Sequence, residues 1–271
     1  MAGSSLSPET ILPCLLELLT VIPQESSNFR VAARPERRRQ HVQELAASFG
    51  VVIEILTSCL NASSSASGNR NRELVVDAYG AWLRLFMSSG SPRTTLPDGR
   101  SMDATTLSTH PLTNAALEGL LGSSTDLFHA SVDAVCELVW LTVDPDSGAL
   151  LESMMPLVSR VVPAVMELRP RFSIAAQRLL ASRKGRSEFD ERDDCDDDEE
   201  TSKGMARLFT EVAEAYLSLI VTATPQVLAP VEAMIEVALY QDYAISQMSF
   251  VFWNKLAKVA RSNSVHLISS A

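Results

Sequence analysis

The sequence predicts an all-α fold, an α-solenoid of stacked antiparallel helix pairs, and three observations carry that prediction. Apolar residues return at spacings of three and four along nearly every patterned stretch, and no window shows the two-residue alternation of a strand. The 271 residues are 46% hydrophobic but only 6% aromatic, with 11 glycines and 13 prolines, a mix that favours helices over a sandwich or barrel. The helix pairs are irregularly spaced and mostly joined by short loops, without a central glycine-rich motif. Such pairs cannot bury their apolar faces alone, and stacked neighbours complete the core.

Ser7, Pro8 and Glu9 open the first helix with an N-cap hydroxyl, a proline whose missing N–H costs nothing there, and a carboxylate at the positive end. Ile11, Leu12, Leu15, Leu16, Leu18, Leu19 and Ile22 fill it, and Pro23 is expected to stop it. Beyond Pro35, the positions Val42, Leu45, Ala46, Phe49, Val52, Ile53, Leu56 and Leu60 predict one long amphipathic helix. A Ser-rich break over 61–69 precedes a helix from Glu73 to Met87, with Leu74, Val75, Ala78, Trp82, Leu85 and Phe86 on one side. Ser88 to His110, with Pro92, Pro97 and Gly99, is expected to be a loop, and Leu112 to Leu121 a short helix.

Leu127 to Val143 and Leu150 to Leu168 form the next expected pair, the second bent or broken at Pro156 and Pro163 and continued by Phe172 to Leu180. After a charged segment come Met205 to Val221, Val227 to Leu239 and Tyr243 to Val259. The approximate repeats are 8–69, 70–123, 124–183 and 200–240, with a half repeat at 241–262. We therefore expect one segment, 1–271, of degenerate HEAT-like pairs, cut from a longer array, with an acidic disordered loop at 184–201. The final helix near Trp253 is expected to expose an apolar end and promote self-association.

Three stretches resemble the middle of karyopherin-β nuclear transport receptors of the transportin-SR and importin-thirteen family. LPCLLELLTVIPQE at Leu12 to Glu25 is followed by ERRRQHVQELAASFGVVIEILTSCL at Glu36 to Leu60, and AYGAWLRL at Ala78 to Leu85 is similar to the family's Trp-bearing helix. ARLFTEVAEAYLSLIV at Ala206 to Val221 precedes YQDYAISQMSFVFWNKLA at Tyr240 to Ala257, in which Ser249, Phe250, Phe252, Trp253 and Leu256 match a Ser-Phe-x-Phe-Trp-x-x-Leu pattern. EETSKGMARLF at Glu199 to Phe209 resembles plant and algal members in particular. The resemblance implies a superhelical import receptor for protein cargo such as Ser/Arg-rich splicing factors, released by Ran-GTP, touching nucleoporins and shuttling between cytoplasm and nucleus. It also implies that the chain lacks the N-terminal repeats where Ran chiefly docks and the C-terminal repeats that hold cargo.

Charge and motif content narrow the function classes independently. A net charge of −10 argues against direct nucleic-acid binding, which depends on clustered Lys and Arg. No stretch reaches the roughly 18 uninterrupted apolar residues of a membrane span, and no signal peptide pattern is present. Cys14, Cys59, Cys136 and Cys195 form no CxxC pair and fit a reducing compartment. His41, His110, His129 and His266 are scattered, and GxSxG, GxxxxGK[ST], HExxH and GxGxxG are all missing, so neither an enzyme nor a cofactor or metal site is expected.

Two charged features remain as candidate partner-binding residues. In EFDERDDCDDDEE, ten of thirteen residues are acidic: Glu188, Asp190, Glu191, Asp193, Asp194, Asp196, Asp197, Asp198, Glu199 and Glu200. Like charges at this density disfavour a helix and would attract a basic cargo segment or a basic face of Ran, or simply remain solvated. Arg37 and Arg38 sit with Arg34 and Arg39 at a helix start, where the macrodipole opposes positive charge and an acidic partner would relieve it. Phe250, Phe252, Trp253, Trp82 and Trp140 are expected in the core. The other reading compatible with this sequence is a HEAT scaffold for a multi-protein assembly, without Ran dependence.

Overall fold

The computed structural model describes residues 8–26, 34–62, 68–90, 104–185, 193–221 and 228–269, with side chains at 11–26, 34–62, 69–90, 104–180, 199–221 and 228–261. Among them every regular element is helical apart from one bridge pairing Val143 with Leu150, and the fold is all-α and HEAT-like. The chain divides into two compact units, Met1–Leu141 and Thr142–Ala271.

Unit 1 holds α1 (Pro8–Ser26), α2 (Pro35–Ala46), α3 (Phe49–Ala62), α4 (Gly68–Ser88), α5 (Ala104–Thr109), α6 (Pro111–Leu121) and α7 (Thr125–Leu141). Its centre is α4, which packs against α1, α2, α3, α6 and α7. Val75, Val76, Ala78, Leu83 and Phe86 of α4 are fully buried, so this helix is apolar nearly all round, as a helix covered on several sides must be. Two glycines let α7 come close. A Cβ on Gly80 would lie 3.1 Å from the Ala134 Cα, and one on Gly119 would collide with the Ser131 hydroxyl. Tyr79 of α4 and Thr113 of α6 share a buried hydrogen bond of 3.0 Å.

Unit 2 holds a short 3-10 turn (Glu152–Met154), α8 (Met155–Met166), α9 (Arg169–Gly185), α10 (Asp193–Ala215), α11 (Leu217–Val221), α12 (Leu228–Ala238), α13 (Tyr243–Ser246), a second 3-10 turn (Gln247–Ser249) and α14 (Phe250–Ser269). Here α10 is central, packing against α8, α9, α11, α12, α13 and α14. Its Phe209 meets Phe172 of α9 edge-on at 5.5 Å, and Phe172 packs on Tyr240 at 4.9 Å. Tyr240 donates to Ser202, and Thr142 to Tyr216, each at 3.1 Å. Burial pushes the Tyr216 phenol up to about 12, against the opposing hydrogen bond from Thr142.

Several boundaries differ from the sequence expectation. α1 passes through Pro23 and ends at Ser26. The expected long helix is two, α2 and α3, meeting at 46° around Ala47 and Ser48. That bend accompanies burial of Phe49, whose ring stacks on Phe86 at 4.9 Å. α5 lies inside the expected 88–110 loop. The expected partner helices 127–143 and 150–168 fall on either side of the unit boundary, and within unit 1 α7 packs mainly along α4 and α6.

Candidate functional site

The acidic run is partly helical. Glu188, Asp190 and Glu191 lie outside the described residues, whereas Asp193, Asp194, Asp196, Asp197 and Asp198 occupy the first turns of α10, and Glu199 and Glu200 follow on the same helix. The expectation of a loop to residue 201 therefore gives way at Asp193. Carboxylates at a helix start meet the positive end of the macrodipole, which offsets their mutual repulsion in the first turn. Further along, the Lys203 ammonium lies 2.8 Å from Glu199 and 2.9 Å from Glu200, at four- and three-residue spacing. Hydrogen bonds to Glu199, then to Glu200, hold the Lys203 ammonium well above its ordinary range.

Arg37 is exposed and Arg38 half-buried in the first turn of α2. Arg34 occupies the capping position without a side-chain cap, and Glu36 is the acidic residue of that turn. The two candidate charge clusters lie in different units.

A second acidic surface emerges only from packing. Glu73 and Asp77 on α4 are electrostatically coupled to Asp126 and Asp133 on α7. Burial raises the Glu73 carboxyl, and Asp126 and Asp77 add to the effect while Arg70 opposes it. Asp77 is likewise raised by burial and by Asp133, with Arg84 opposing. Arg84 also donates to Glu137 of α7 at 2.7 Å, and Arg72 pairs with Glu118 of α6. The sequence holds the four-residue step Glu73 to Asp77 and the seven-residue step Asp126 to Asp133. What it hides is that the two stripes come together.

His110 accepts the Leu112 amide through Nδ1 at 3.3 Å and caps α6, and His129 packs edge-on against Phe128. Cys136 is buried, and burial raises the Cys59 thiol, the opposite of activation. Among the described residues no group of three or more His, Cys, Asp or Glu is arranged to hold a metal ion. Trp82 is buried, as are Ser249 and Phe252, while Trp140, Trp253 and Leu256 are half-buried. Phe250 departs from the core expectation at 53% exposed.

Helices packed in this way around α4 and around α10 define a helical-repeat protein. An Exportin 1-like protein family model matches residues 1–135, and the model of the Transportin-3/Importin-13 second TPR domain matches residues 197–268. Transportin MOS14 of Arabidopsis thaliana is 33% identical over 249 residues, covering 92% of this chain and 22% of that protein. The chain is a karyopherin-type segment, and its end is similar to the second TPR domain of Transportin-3/Importin-13. It spans less than a quarter of the length of the curated relative it matches.

Proposed function

We propose that this chain acts as part of a nuclear transport receptor that binds a basic protein cargo and gives it up to Ran-GTP, moving between cytoplasm and nucleus. The observation supporting this most is the joint similarity: one karyopherin-type family model covers the start of the chain, another covers its end, and Transportin MOS14 aligns over 92% of it. Two acidic surfaces, the start of α10 and the Glu73, Asp77, Asp126 and Asp133 ledge, would face an arginine-rich segment such as that of a Ser/Arg-rich splicing factor. Contacts of this sort steer association and weaken with salt.

The test is a pull-down of the chain with a Ser/Arg-rich splicing-factor tail, with and without Ran held in its GTP state. Capture that Ran-GTP abolishes supports the receptor reading. Failure to capture either the tail or Ran moves the assignment to a helical scaffold.

A further inference from the structure

α10 opens with seven acidic residues in its first eight positions, Asp193 to Glu200, and Lys203 is the first cation after them. Its ammonium lies 2.8 Å from Glu199 and 2.9 Å from Glu200, so two of these carboxylates already hold an alkylammonium. A cargo lysine, or an arginine with its own N–H donors, would make the same charge-assisted bonds.

The face that carries these three residues is fixed. Thr201 and Ser202, which stand between them, are buried, and Ser202 accepts from the Tyr240 hydroxyl at 3.1 Å. At about 100° per residue, burial of those two positions turns Glu199, Glu200 and Lys203 outward. Their side chains are 40%, 61% and 29% exposed. Exposed pairs at three- and four-residue spacing add little to stability. An incoming cation can therefore displace Lys203 without unfolding the helix.

Resting on the assignment of the α10 start as a surface for basic cargo, we propose that Lys203 is an internal competitor. Its ammonium occupies carboxylates that a basic segment would take, and holds the affinity of this surface below what its acidic charge would otherwise give. The pairs re-form when cargo leaves, so release does not leave Glu199 and Glu200 without a cation.

Fluorescence anisotropy of a labelled Arg-Ser repeat peptide with the full chain, at low salt, tests this. Lys203→Gln removes the ammonium and keeps a good helix former, and should tighten binding about two- to fivefold, the equivalent of two exposed helical ion pairs. Lys203→Arg keeps a cation on both carboxylates and should bind as the wild type does. In a Glu199→Gln, Glu200→Gln background nothing remains for Lys203 to occupy, so Lys203→Gln should bring no gain. An equal gain in both backgrounds overturns the idea, since it would reflect net charge alone. The joint variant Asp193→Asn, Asp194→Asn, Asp196→Asn, Asp197→Asn, Asp198→Asn separates this idea from the one beneath it. If that variant weakens binding while Lys203→Gln leaves it unmoved or weaker, the acidic surface stands and the competitor falls. Binding that the joint variant does not weaken, or no binding at all, removes the surface and the competitor together.

Discussion

Each unit is organised around one central helix, yet α4 and α10 solve the packing problem differently. Unit 1 gains contact by omission, since Gly80 of α4 lets the α7 backbone approach and Gly119 of α6 makes room for Ser131. α10 gains it by insertion, with Phe209 reaching into a cluster with Phe172 and Tyr240. A contact made by a missing side chain fails when something is added, whereas one made by a ring fails when something is removed. The two units should therefore respond to opposite kinds of substitution.

The largest effect is expected in unit 2. Phe209→Ala removes a fully buried ring and should cost about 3–5 kcal/mol in urea unfolding, the range for deletion of a core aromatic. A loss below about 1 kcal/mol would mean that the cluster repacks and that the contrast is false. In unit 1 the corresponding changes are Gly80→Ala and Gly119→Ala, each expected to cost about 1–3 kcal/mol by overpacking. They differ in their remedy. The neighbour of a Gly119 Cβ is chiefly the Ser131 hydroxyl, which is buried without a hydrogen-bond partner, so Ser131→Ala should recover most of the Gly119→Ala loss. A Cβ on Gly80 meets the Ala134 backbone, which Ser131→Ala does not move. Recovery of both glycine variants by Ser131→Ala would show the close approach to be plastic.

How much of this was legible from the chain depends on the range of the interaction. Both central helices declare themselves through apolar spacing, in the runs Val75 to Phe86 and Met205 to Val212, because their burial is a property of the helix itself. Chain punctuation was less reliable. Pro23 does not end α1 when a tryptophan 59 positions away takes the freed Leu19 carbonyl, and the break at Ala47 and Ser48 lies within unbroken apolar spacing, with Gly50 just beyond it as the sole local sign. The acidic run looked unfit for a helix because charge counting treats carboxylates alike. Asp193 and Asp194 stand at a helix start, where negative charge is favoured, and Glu199 and Glu200 share Lys203. The ledge of Glu73, Asp77, Asp126 and Asp133 was not legible, since only the crossing of α4 with α7 joins two unremarkable pairs.

A second difference concerns charge. Unit 2 places Arg169, at the start of α9, between two carboxylates of α12, with Glu232 at 2.8 Å and Glu236 at 2.6 Å. These guanidinium bonds, first to Glu236 and then to Glu232, raise the Arg169 pKa further. Arg169→Met should cost about 1 kcal/mol, by leaving two neighbouring carboxylates without their cation, and the loss should shrink in high salt. A salt-independent loss would assign the effect to the aliphatic stem.

The smallest effect sharpens the contrast through pH. His110 caps α6 in unit 1 as a neutral acceptor, and burial lowers its pKa below the ordinary 6.5. A proton on Nδ1 would remove the acceptor and place positive charge at the positive end of the helix. The unfolded chain takes up that proton near its ordinary value while the folded chain resists it. The stabilisation is therefore present above about pH 6.5 and is lost as pH falls toward the lowered folded value. His110→Asn keeps a capping oxygen but no proton site. It should match the wild type within about 0.5 kcal/mol at neutral pH and hold α6 protection as the medium turns mildly acidic. An α6 that loses protection equally in both proteins would place the acid sensitivity elsewhere, with the Glu73 and Asp77 carboxyls as poor candidates. Their raised pKa values work in the opposite direction, because protonation in the folded state relieves their burial and repulsion.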